Sequence, residues 1–220
     1  MDKIPFSVYD FFAYLSSGTV VLATMDYIWG LGILERKEVS PVLGVALVIL
    51  AYVTGHIVAH FSSFLIEHTV VRCALKRPLA LLLGEKPRSP IFVWIFPNFH
   101  RAFPEQTQRR IREQAAVRNC TSEGEGLFLH AYSVVTASER AQARLDDFRN
   151  QYGFARNMSF AFLVSAVAIV ATHFYGGHPV RLRWFLLAAF ASVSLFYRYL
   201  KFFHQYSYEL FLRYAELPRS

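Results

Sequence analysis

One stretch constrains this chain more than any other. From Val39 to Leu65 no residue carries a fixed charge, and almost all are apolar. A bilayer core needs about 20 apolar residues in helix, so the run predicts a membrane span over 39–66. Within it His56, His60, Ser63 and Glu67 fall at i, i+4, i+7 and i+11. On a helix of about 3.6 residues per turn they share one face. Ionisable groups at membrane depth are costly unless they face protein or water, so this stripe is the first candidate functional feature.

The composition agrees with lipid as a solvent. Of 220 residues, 54% are hydrophobic and 16% aromatic, with a mean hydropathy of +0.28. That is more apolar surface than a soluble domain of this length buries. The N-terminus lacks the charged stretch, short apolar run and small-residue cleavage site of a removable signal peptide, so the first span is expected to be an anchor. Cys73 and Cys120 are far apart, which excludes a disulfide scaffold and suits reduced thiols.

Three more spans follow the same logic. The first, 11–34, holds Asp26 and carries Tyr27 and Trp29 where an interfacial aromatic belt would lie. The third is 158–175. The fourth, 180–200, has only 14 uncharged residues between Arg183 and Arg198. At about 1.5 Å per residue these reach only about 21 Å, so it crosses a core of about 30 Å only if both arginines snorkel. Between Arg72 and Arg156 stand 14 Lys and Arg against eight acids, giving six of the chain's seven net positive charges. The positive-inside rule puts this region, and with four spans both termini, on the cytoplasmic side of the membrane. The expected fold is all-α: a four-span helical integral membrane protein with a helical cytoplasmic domain inserted between spans 2 and 3. The divisions are a transmembrane hairpin over 1–71, a cytoplasmic region over 72–157 and a second hairpin with a cytoplasmic C-terminal helix over 158–220.

The cytoplasmic region opens with prolines at 78, 87, 90, 97 and 104 among Phe92, Trp94, Phe96, Phe99 and Phe103. So apolar and irregular a segment is expected to lie on the membrane surface or the helix bundle. A helix from Glu105 to about Asn119 follows Pro104. Next, Leu127, Ala131, Val134, Ser138, Ala141, Leu145, Phe148 and Tyr152 are spaced 4, 3, 4, 3, 4, 3, 4, a heptad seam that predicts one helix over 127–152, with a kink at Gly153. Its seam either zips copies together, binds a partner or packs within the chain, and the helix would couple the cytoplasmic region to the third span. Arg109, Arg110, Arg112, Arg118, Arg140, Arg144 and Arg149, with Tyr132, Tyr152 and Phe154 near in sequence, suit a nucleotide or nucleic-acid ligand, or else anionic lipid and the positive-inside rule alone. The stripe of His56, His60, Ser63 and Glu67, with Asp26, leaves three readings open: a wet lining shared by several copies around an axis, metal or proton chemistry, or hydrogen bonds that fix packing. Small residues Gly55, Ser62 and Ser63 favour close helix approach.

No nucleophile elbow, phosphate loop, CxxC pair or nucleotide fingerprint occurs, so the sequence supports neither an enzyme nor a cofactor. AYVTGHIVAHFSSFLIEH, a following LLLG and the later FRNQYGFARN resemble a pattern in uncharacterised small bacterial four-helix membrane proteins. In architecture the chain is similar to membrane effectors of bacterial anti-phage systems, some of which are nucleotide-gated channels. That likeness implies a homo-oligomeric channel or pore-forming effector gated by an anionic ligand. The alternative is a non-conducting membrane anchor or sensor that recruits a cytosolic protein.

Overall fold

The computed structural model describes residues 8–121, 123–176 and 182–218, and among them every regular element is helical. In chain order these are α1 (Val8–Trp29), α2 (Pro41–Ser62), a π-helix (Ser63–Leu75), α3 (Pro78–Leu82), α4 (Pro90–Ile95), α5 (Glu105–Val117), α6 (Gly124–Val135), α7 (Glu139–Gly176) and α8 (Leu182–Ala215). Four stretches are long and apolar enough to cross a membrane: Tyr9–Trp29, Pro41–Leu82, Glu139–Thr172 and Leu182–Ala215, each with an 18-residue window whose mean hydropathy is 1.2, 2.3, 1.7 and 1.3 respectively. They fit a multi-pass membrane protein. The chain divides into two compact units, Met1–Glu67 with Gly153–Tyr199, and His68–Tyr152 with Leu200–Ser220.

In the first unit, α1 stops at Trp29, five residues short of the predicted span. Gly30 adopts φ +63°, a backbone that costs glycine nothing, and the buried Asp26 carboxylate accepts the backbone N–H groups of Ile33 at 2.8 Å and Leu34 at 3.2 Å. The next helix starts where side-chain chemistry supplies a cap. Ser40 Oγ accepts the Leu43 N–H, and Pro41 occupies the first turn, where its missing donor is no loss.

Helices α1 and α2 approach closely through glycines. A Cβ on Gly18 would collide with the Ala51 carbonyl, and one on Gly55 with the Tyr14 carbonyl. Elsewhere in the unit hydroxyls bridge helices. Thr24 donates to Ser165 Oγ at 2.8 Å, while Ser159 and Ser192 each donate to the other's backbone carbonyl at 2.9 Å. Small side chains and interhelical hydroxyl bonds are what hold helices together when lipid removes the hydrophobic drive between them. The outward surface is correspondingly apolar: Val42, Phe190, Val45, Val167 and Ile49 are all more than half exposed.

The second unit has an apolar core of its own. Leu79, Leu82, Leu83, Phe103, Ile111, Ala115, Leu127, Ala131, Val135, Ala141 and Leu145 pack with Tyr206, Leu210, Phe211 and Tyr214 from the end of α8. Both α3 and α4 begin on a proline in the first turn, so the predicted irregular segment contains two short helices rather than none. The predicted helix over 127–152 is two helices. The chain turns at Thr136–Ser138, where Thr136 Oγ1 donates back to the Tyr132 carbonyl at 2.7 Å, and Ser138 is exposed instead of lying in a seam. The chain stays helical through Gly153, within α7 from Glu139 to Gly176. Gly176, Gly177, His178 and Pro179 also predict a turn after the third apolar stretch; Gly176 ends α7, and 177–179 lie outside the described residues.

Candidate functional site

The packed face of α2 is Ala51, Gly55, Val58 and Ser62, and the stripe of His56, His60 and Ser63 lies beside it. His56 is half-buried, stacked on Tyr14 at 4.1 Å between ring centroids and met edge-on by Tyr52 at 4.6 Å. His60 is exposed, its only ring neighbour Phe61 among the described contacts, and it stands among the exposed apolar residues Val53, Ile57, Phe61 and Phe64. Asp26 is not part of this group, being committed to the backbone after α1.

Beyond Ser63 the geometry changes. A π-helix, with more residues in each turn than an α-helix, runs from Ser63 to Leu75 and carries Glu67. Glu67 reaches α7 there, and its carboxylate pairs with Arg156. Arg156 also donates to Asn157 Oδ1, from Nε at 3.3 Å and from Nη2 at 3.2 Å. The same oxygen accepts the Ser62 hydroxyl at 2.8 Å. Asn157 and Ser62 are buried, and the paired side chains of Arg156 and Glu67 are 14% and 34% exposed. The result is a closed network, Glu67–Arg156–Asn157–Ser62, in which a cation and an anion cancel and each polar atom named has a partner. Such satisfaction is what permits charged groups among apolar helices.

Arg156 and Asn157 were absent from the sequence-based candidates. Their signal was the adjacent arginine and asparagine at the mouth of an apolar helix, read only as a span boundary. Comparison with protein-family models, with curated proteins and with solved structures returned no match.

In the second unit, the seven arginines separate by what they do. Arg112 donates to the Leu83 carbonyl at 3.2 Å, and Arg118 to Gln114 and to the Pro218 carbonyl, with its guanidinium over the Tyr214 ring. Arg144 pairs with Glu209 at 2.9 Å and Arg149 with Asp146 at 3.1 Å. Arg109 and Arg110 on α5 and Arg140 at the start of α7 are exposed and make no hydrogen bond or ion pair among the described residues. These three keep their full capacity for an anion.

The heptad seam is consumed inside the chain. Leu127 and Leu145 are fully enclosed, Val135 occupies the place predicted for the half-buried Val134, and Phe148 and Tyr152 pack at the margin of the same core. Tyr152 meets Tyr206 edge-on at 5.7 Å. Among the described residues no group of three His, Cys, Asp or Glu is placed to hold a metal ion.

Proposed function

We propose that the chain is a multi-pass protein of a bacterial inner membrane, with both termini cytoplasmic, and that several copies assemble into a channel or pore gated by an anionic ligand. The observation that carries this reading is His60. An imidazole in the middle of the most apolar helix, turned outward among Val53, Ile57, Phe61 and Phe64, has among the described residues no hydrogen-bond or ionic partner to offset its cost in hydrocarbon. A second copy, or water held between copies, supplies one. Four helices of a single chain are too few to enclose a path, so the axis of an assembly is where conduction occurs.

The ligand, a nucleotide or a short nucleic acid, is taken by Arg109, Arg110 and Arg140, the arginines not already committed. Because α7 carries Arg140 near its start and Arg156 further along one unbroken helix, occupancy of the basic residues bears on the Glu67–Arg156 pair. The class of membrane effectors from anti-phage systems shares this arrangement of spans and basic helices, and the proposal places the chain beside it.

Ion flux from liposomes tests the reading, with cyclic dinucleotides, linear oligoadenylates and short RNA added in turn. Wild-type protein is expected to release ions with one of these probes, and His60→Leu to release fewer. Tight liposomes under all of them, with correctly inserted protein, overturn it.

A further inference from the structure

Within the second unit, α4 is anomalous. Its six residues, PIFVWI, contain no polar side chain, and none of them is buried. Trp94 is 84% exposed and Ile91 64%, whereas in the segment that follows Phe99 is buried and Phe103 joins the core of the unit. A helix so short has no stability of its own in water. Its apolar residues therefore gain from a covering surface, and the surroundings say which kind. Lys86 and Arg88 precede it and are exposed, with Arg88 tied to the Cys73 carbonyl. Ser89 just before it is extended, and Pro90 takes the first turn of the helix. Tryptophan favours the interfacial layer of a bilayer, where the ring is apolar and its N–H stays wet, and basic residues beside it are drawn to anionic headgroups.

We infer that α4 is a membrane-surface foot: Ile91 and Trp94 insert into the headgroup layer of an anionic bilayer, with Lys86 and Arg88 set against lipid phosphates. This rests on the proposed membrane reading, since the bilayer concerned is the one that the first unit crosses. The foot fixes the second unit to the lipid independently of the chain connections, and makes its position sensitive to lipid charge.

The chain's three tryptophans, Trp29, Trp94 and Trp184, make the test separable. Full-length protein is placed in nanodiscs whose lipids carry bromine either near the headgroup or deep in the acyl chain. One version keeps only Trp94 (Trp29→Phe with Trp184→Phe) and a second keeps only Trp184 (Trp29→Phe with Trp94→Phe). For Trp94 the expected result is a blue-shifted emission, quenched by shallow bromine more than by deep, more strongly with anionic than zwitterionic lipid. Ile91→Glu abolishes that quenching. Quenched Trp184 beside unquenched Trp94 overturns the foot while leaving the membrane reading intact, and Trp184 unquenched by either lipid overturns the membrane reading itself. Trp94 blue-shifted, unquenched by bromine and shielded from aqueous acrylamide overturns the foot in favour of a protein cover, either a second copy or a cytosolic partner. Equal quenching of Trp94 in anionic and zwitterionic lipid overturns the role given to Lys86 and Arg88.

Discussion

Arg156 shows how a single side chain can make a charged group tolerable among apolar helices. Its guanidinium spends its donors on the Glu67 carboxylate and the Asn157 amide oxygen, so removing it leaves a partly buried anion without its counter-charge. Arg156→Met is expected to cost about 1–3 kcal/mol. Thermal unfolding in detergent checks this, and Glu67→Gln added to Arg156→Met should recover part of the loss because the stranded charge is gone. A simple loss of packing would show no such recovery. The pair also marks where sequence reasoning stopped. Glu67 was legible as an ionisable residue in an apolar helix, but its partner was not, because Arg156 stands on another helix 89 residues further along and the periodicity of one helix says nothing of its neighbour.

Glycines 18 and 55 make the same point through space rather than charge. Each sits where the neighbouring helix's backbone leaves no room for a Cβ, so Gly55→Val must push α1 and α2 apart. The expected cost is about 1–3 kcal/mol, the range for overpacking a tight contact. Loss of a disulfide between cysteines introduced at facing α1 and α2 positions would report the separation.

Among the elements, α8 adds most to the sequence reading. Its first part belongs to a stretch apolar enough to cross a membrane, and Tyr197, Lys201, His204 and Tyr208 form one helical stripe that the sequence suggests as an interfacial anchor. On another face Tyr206, Leu210, Phe211 and Tyr214 enter the core of the second unit against α5, α6 and α7, and Glu209 holds both Arg144 and Arg213. The pattern was present, since Phe203, Tyr206, Leu210 and Tyr214 recur every three or four residues. It was overlooked because no break separates it from the span before it. Leu210→Ala removes a fully enclosed side chain and is expected to cost about 2–5 kcal/mol. Limited proteolysis should then cut within 105–145 first, while the first unit stays protected in detergent. The heptad seam fared differently. Its apolar positions from Leu127 to Leu145 were legible as one packing face, but the turn at Thr136–Ser138 was not, because seam spacing of 3 and 4 continues through it unaltered.

For the whole molecule, the four apolar stretches and the basic region between the second and third were readable from composition alone, since both depend on counts rather than on register. The division into two units was only partly readable, because the second draws its core from both sides of the last two spans in the sequence. At this scale the account makes its main commitment, that an outward His60 is answered by another copy and by water. Substituted-cysteine accessibility addresses this directly. In a background of Cys73→Ser and Cys120→Ser, His60→Cys is exposed in native membranes to a charged, water-soluble thiol reagent and to a lipid-soluble one. The account predicts modification by the water-soluble reagent and cross-linking between copies through this position. Modification by the lipid-soluble reagent alone, with no cross-link between copies, would contradict it.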